Sequence, residues 1–133
     1  MQSKMRTIEW KDGAVLTIDQ TRLPHETVIL KLKSCEEVAE AIKTMKIRGA
    51  PLLGATAAYA LALTAYHSKA GNREELIREL ERAAEIIKST RPTAVNLFWA
   101  IERVLTKAKG FSGDVKALTT VIIEEAQRIA DED

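Results

Sequence analysis

The chain has 133 residues, which is enough for one domain with a sizeable core. Its composition is 46% hydrophobic and 29% charged, with six glycines and three prolines, which excludes the disordered, fibrous and disulfide-stapled classes. Twenty basic and nineteen acidic side chains give a formal net charge of +1. We therefore expect no overall electrostatic attraction for nucleic acid or an anionic membrane, although a local basic site is still allowed.

Residues 1–33 have the pattern of a small antiparallel sheet. Short apolar runs predict strands over 7–10, 14–18 and 27–32. Asp12-Gly13 between the first two runs is a strong signal for a tight hairpin turn. Three short strands need helices to cover their apolar face.

Residues 34–133 change to helical periodicity and predict a bundle of about five helices, so the fold class is α+β. The first helix is expected to end at Arg48-Gly49, with Met45 on its inner face. The second is rich in alanine and apolar on every side, so it should be the central, buried helix, ended by Gly71. Start signals for the five helices are Ser34 with Glu37, Pro51, Asn72 with Glu75, Thr93 and Asp114.

The fifth helix has no stop signal. Its last residues, 131–133, are acidic and lie where the negative end of the helix dipole would be. We therefore expect the helix to continue past residue 133, which makes the chain look like the first part of a longer one.

Cysteine and histidine usage gives no sign of a disulfide or a metal site. Cys35 is the single cysteine, and His25 and His67 are too far apart for a local metal motif. The N-terminus lacks the apolar core of a signal peptide, and the Ala-rich stretch near 50–66 is interrupted by Thr and Tyr. These features favour a cytoplasmic protein that has no membrane anchor and no metal.

The connection between the first two helices is the strongest candidate for chemistry. Free backbone N–H groups at the start of the second helix, together with its dipole, can hold a phosphate or carboxylate, and Gly49 allows a close approach. Arg48 would add a charge-assisted contact. The alternative is an ordinary helix-ending glycine followed by Pro51, with Arg48 in solvent.

Arg91 lies in a second break between helices. Pro92 disfavours helical geometry at Arg91, so the side chain leaves the chain at a fixed corner. Arg48 and Arg91 could clamp one anionic group if the fold brings the two corners together, and the alternative is a solvated side chain. The sequence shows no nucleotide loop, nucleophile elbow or metalloprotease motif, and Cys35 has no histidine near it in sequence.

Five segments together carry a family resemblance. They are residues 6–10, 18–24, 47–51, 89–97 and 125–133, and they include Ile47-Arg48-Gly49-Ala50-Pro51. In this order they resemble the methylthioribose-1-phosphate isomerase family, relatives of the regulatory subunits of translation initiation factor 2B. The Arg-Gly-Ala-Pro form is closer to the isomerases.

This resemblance implies an N-terminal domain made of a small sheet and a helical bundle, followed by a Rossmann-like domain in a longer protein that usually forms a homodimer. It assigns substrate binding to Arg48, Gly49, Ala50 and Arg91. The family's catalytic cysteine and aspartate belong to the C-terminal domain, so Cys35 is not their counterpart.

The implied activity is a cofactor-independent aldose–ketose isomerisation, from methylthioribose 1-phosphate to methylthioribulose 1-phosphate in methionine salvage. This chain alone is then expected to be inactive. Three alternatives stay open: a ribose-1,5-bisphosphate isomerase, a non-catalytic initiation-factor-like subunit, and a freestanding helical interaction module.

Overall fold

A computed structural model describes residues 8–47 and 49–132, in which a three-stranded sheet precedes five α-helices. The predicted α+β class is confirmed. The strands are β1 (Ile8–Lys11), β2 (Ala14–Ile18) and β3 (Ile29–Leu32), with a 3-10 turn at Gln20–Arg22. The helices are α1 (Cys35–Lys43), α2 (Ala50–His67), α3 (Arg73–Lys88), α4 (Val95–Lys109) and α5 (Val115–Asp131).

The sheet is an antiparallel meander in the order β1-β2-β3. Lys11 pairs with Ala14, so Asp12 and Gly13 alone form the hairpin turn. Their φ angles of 50° and 79° are both left-handed, as the type I′ turn requires, and the predicted Asp-Gly turn is confirmed. Val15 on the central strand is fully buried, so one face of the sheet packs against the helices.

Helix α2 is the centre of the molecule. Every residue from Leu52 to Leu63 is buried, and α2 packs against the other four helices and β1. Small side chains allow this close packing: a Cβ on Gly54 would lie 3.3 Å from the backbone oxygen of Asn96 on α4. The predicted central, buried helix is therefore confirmed.

Three of the predicted helix caps are present. The side chains of Ser34, Asn72 and Asp114 each accept a hydrogen bond from the backbone N–H three residues later, at 3.1, 2.9 and 2.8 Å. Such caps satisfy backbone donors that have no partner within the helix. None of the helices in the described part of the chain combines the length and apolarity needed to cross a membrane.

Other element ends differ from the sequence prediction. Ala94, not Thr93, is the N-cap of α4, and it makes no side-chain cap. Helix α2 ends at His67, with Ser68 as its C-cap in place of the expected Gly71, and β3 starts at Ile29, two residues later than predicted. These are end effects of one to three residues, where local signals compete with tertiary packing.

Candidate anion-binding site

The connection between α1 and α2 begins with a Schellman motif. The N–H of Met45 donates to the carbonyl of Ile42 at 3.1 Å, and the N–H of Lys46 donates to the carbonyl of Ala41 at 3.0 Å. Met45 has a left-handed φ of 66°, which stops a right-handed helix. The predicted end at Arg48-Gly49, with Met45 facing inward, was therefore wrong, because α1 ends at Lys43 and Met45 is 43% exposed.

Gly49 is the N-cap of α2 and leaves the start of that helix open. Its φ of 95° and ψ of 131° are a backbone conformation that favours glycine. No side chain caps this end, and a Cβ on Gly49 would meet no atom within 4 Å. Ala50 and Pro51 are exposed. Backbone donors and the positive end of the α2 dipole are therefore accessible to an anion.

Arg91 reaches the same connection from the break between α3 and α4. One guanidinium nitrogen, Nη1, donates to Sδ of Met45 at 3.7 Å, which is a weak interaction because a thioether is a weak acceptor. Among residues 8–47 and 49–132, no carboxylate forms an ion pair with Arg91. The fold thus brings this cation to the connection that holds Gly49. Its role in binding stays a prediction, and Arg48 lies outside the described residues.

The loop that follows β2 supports this connection. The N–H of Gln20 donates to the carbonyl of Lys46 at 2.8 Å. Hydrogen bonds from Thr21 lower the pKa of the buried Asp19 carboxyl, and the positive charges of Lys46 and Arg22 lower it further. The carboxylate therefore stays ionised and offsets part of the positive charge of Lys46.

A groove adjoins the open end of α2. It has a volume of about 190 Å³ and lies between the starts of α2 and α4 and the end of α5. Trp99 borders it and is 53% exposed. This exposure shows that Trp99 is not part of the core of this domain. The lining residues are Pro51, Gly54, Asn96, Trp99, Ile129 and Glu132.

Two features of this region, the left-handed backbone of Met45 and the groove, have little signal in the sequence. A methionine carries no turn signal, so its left-handed backbone is visible only in the structure. The exposure of Trp99 has no clear signal either, because Val95 and Trp99 lie four residues apart on one side of α4 and such an apolar pair also fits a buried face.

Cys35 lies apart from the open end of α2. It lines a different cavity, of about 400 Å³, together with His67 at the last turn of α2. Burial raises the pKa of the Cys35 thiol to about 12, with a further contribution from Glu36, so the thiol is neutral and unreactive. Its Sγ lies 3.6 Å from the carbonyl oxygen of Ala83. These facts agree with the sequence-based view that Cys35 is not a nucleophile.

The two histidines and Trp10 have structural partners or are exposed. Nε2 of His67 is hydrogen-bonded to the carbonyl oxygen of Gly13 at 2.8 Å, and His25 is an exposed loop residue. Trp10 stacks on Tyr59 with ring centroids 5.8 Å apart. The described residues contain no group of three or more His, Cys, Asp and Glu side chains that could hold a metal ion.

Two features together define the class of protein: a small antiparallel sheet on a helical bundle, and an open helix N-terminus in a connection that an arginine contacts. Residues 46–133 match the family model described as the Initiation factor 2 subunit family. This chain belongs to that family.

Individual relatives divide between isomerases and an initiation factor. The methylthioribose-1-phosphate isomerase of Desulforudis audaxviator is 46% identical over 97% of this chain and 37% of the relative. The crystal structure of 5-methylthioribose 1-phosphate isomerase from Pyrococcus horikoshii superposes with a TM-score of 0.92 at 47% identity, covering 96% of this chain and 36% of that one. Translation initiation factor eIF-2B subunit delta from A. fulgidus gives 0.91 at 42% identity, covering 98% and 38%. The chain therefore spans little more than a third of the length of each.

Proposed function

We propose that this chain is the substrate-anchoring domain of a longer aldose–ketose isomerase that converts methylthioribose 1-phosphate to methylthioribulose 1-phosphate in methionine salvage. One geometric observation carries the proposal: the open start of α2 at Gly49 lies in the connection that Arg91 contacts. The names of two of the relatives supply the substrate. A Rossmann-like domain after residue 133 completes the protein, which functions as a cytoplasmic homodimer without a cofactor.

The anchored group is the 1-phosphate. Backbone N–H groups of the first turn of α2 donate to its oxygens, and Arg48 and Arg91 supply positive charge, with Gly49 and Ala50 allowing close approach. The phosphate is present in both aldose and ketose, so this anchor stabilises substrate and transition state alike. Hydrogen transfer between C1 and C2 is carried out by groups of the following domain. Loss of an anchoring residue should therefore raise KM more than it lowers kcat.

The direct test is Arg91→Ala in the longer protein, assayed by formation of the ketose. A charge-assisted hydrogen bond contributes about 1.5–3 kcal/mol, so KM should rise by roughly 10- to 100-fold while kcat changes much less. Arg82→Ala is the matched control, because Arg82 is an exposed arginine beside the cavity of Cys35 and His67. An Arg91 variant with the same KM as the Arg82 variant would contradict the assignment.

Two other functions would use the same residues differently. A ribose-1,5-bisphosphate isomerase would share the arginine anchors and is distinguished by comparing kcat/KM for the two sugar phosphates. An initiation-factor-like subunit is favoured by the TM-score of 0.91 to the A. fulgidus protein. For that function the longer protein should show no isomerase activity and should bind a protein partner instead.

A further inference from the structure

Helix α4 exposes two large apolar side chains, and one of them, Trp99, lines the groove beside Pro51 at the open end of α2. Val95 is 77% exposed and Trp99 is 53% exposed. They lie four residues apart and so share one side of the helix, whereas Leu97, Ile101 and Val104 on α4 are fully buried. We call Val95, Trp99 and the adjoining groove the α4 face. Neighbouring exposed apolar residues beside a groove are typical of an interaction surface.

The end of α5 forms one wall of this face. Ile129 and Glu132 line the groove, and both guanidinium NH2 nitrogens of Arg103 donate to the Glu132 carboxylate at 2.7 Å. The same guanidinium lies 5.3 Å from the ring centroid of Trp99. Arg103 therefore holds the last turn of α5 beside Trp99, and any chain that continues from Glu132 begins at this face.

We propose that the α4 face is the docking surface for the domain that follows residue 133 in the longer protein. This inference rests on the proposed function, because it needs that longer protein. The relatives extend well beyond the matched segment, since the chain covers only 36–38% of the two solved structures. The following domain would be joined to the end of α5, which lines the groove, so it is the partner that we expect to cover this face.

The proposed chemistry gives a second reason to place the following domain on the α4 face. Groups that act on C1 and C2 must lie within hydrogen-bonding distance of a sugar whose phosphate is held at Gly49 and Ala50. Pro51 belongs to both the start of α2 and the wall of the groove. A domain that covers the α4 face therefore brings its own side chains next to the anchored substrate. Burying Val95 and Trp99 would also stabilise that arrangement by removing apolar surface from water.

The test is thiol labelling of Val95→Cys with a maleimide, read by mass spectrometry of the labelled peptide. The native thiol gives little background, because Cys35 is buried and its pKa is raised. Ile29→Cys is the matched control, since Ile29 is also β-branched and is 54% exposed on β3. In the longer protein the labelling rate at position 95 should fall by about tenfold or more relative to the 133-residue chain, and the rate at position 29 should not change.

Two outcomes would overturn the proposal. Equal labelling at position 95 in both proteins would show that the face stays uncovered. Protection in the 133-residue chain that increases with protein concentration would show that a second copy covers the face instead. Labelling does not depend on turnover, so an inactive protein with a protected position 95 would contradict the proposed function and leave the docking surface supported.

Discussion

The two ends of α2 differ sharply. At the C-terminal end, His67 is hydrogen-bonded to the carbonyl of Gly13 and Tyr66 packs edge-on against Trp10, with ring centroids 5.7 Å apart. A Cβ on Gly13 would overlap the Tyr66 ring. The hairpin turn therefore closes this end of the helix with contacts made inside the domain.

At the N-terminal end the same helix is left open. Gly49 provides no capping side chain, and the space where its Cβ would lie is empty to 4 Å. Arg91 contacts Met45 in the connection that leads to this end, and Trp99 lines the groove beside Pro51. One end of α2 is thus closed by contacts inside the domain and the other end is open, and the open end is where we propose that the substrate binds.

The largest expected effect is a difference in the free energy of unfolding between alanine variants of Gly13 and Gly49. Gly13→Ala combines a left-handed φ of 79° with overlap on Tyr66, so it should lower the free energy of unfolding by about 3 kcal/mol. Gly49→Ala meets no neighbour and carries only backbone strain, of about 1–2 kcal/mol. Urea unfolding of the 133-residue chain, followed by circular dichroism, measures both. Equal losses of stability in the two variants would contradict the contrast between the closed and the open end of α2.

A second prediction concerns the ion pairs that hold the end of α5. Burial would raise the pKa of Glu125, whose side chain is 8% exposed, but hydrogen bonds from Arg103 and Arg128 outweigh that effect and lower it. A lowered folded-state pKa contributes stability that is present above the unfolded value, near 4.5, and is lost as pH falls through the folded value. Glu125→Gln should therefore cost about 1–2 kcal/mol at neutral pH.

The pH dependence provides the check on that variant. Urea unfolding should show a smaller loss of stability below pH 4.5 for Glu125→Gln than for the parent chain, because glutamine does not titrate. The control is Glu102→Gln, which removes the exposed carboxylate that pairs with Lys88. This variant should change stability little, since exposed ion pairs contribute about 0–1 kcal/mol. Parallel pH profiles for the parent and Glu125→Gln would contradict the role given to these ion pairs.

Much of the fold is predictable from the sequence, because local turn and cap signals indicate the same elements as the pattern of apolar residues. Asp12-Gly13 encodes its own turn, and Asn72 caps α3 with a side chain only three residues from its donor. The continuous apolar run in α2 predicts its central position. The end of α1 was missed, because Met45 adopts a left-handed conformation for which its side chain gives no signal.

The candidate site was predictable in its residues but not in its arrangement. Gly49 and Arg91 could each be identified from a break between helices. The contact of Arg91 with Met45, in the connection that holds Gly49, depends on how α1, α3 and α4 pack, and no local sequence pattern predicts a contact between residues so far apart. The exposure of Trp99 is likewise a property of the packed bundle, since the same apolar pattern on α4 also fits a buried position.

The smallest predicted effect tests whether Met45 positions Arg91. Met45→Leu keeps the size of the side chain but removes the sulfur acceptor, so KM in the longer protein should rise by about two- to threefold with kcat unchanged. Met45→Gly also removes the sulfur and should raise KM equally, yet it relieves the strain at φ 66° and should stabilise the fold by about 1 kcal/mol. Substrate kinetics and thermal unfolding of the two variants separate these effects. A change in KM for glycine alone would assign the effect to the backbone of the connection, whereas equal changes in both would assign it to the contact between Arg91 and the thioether.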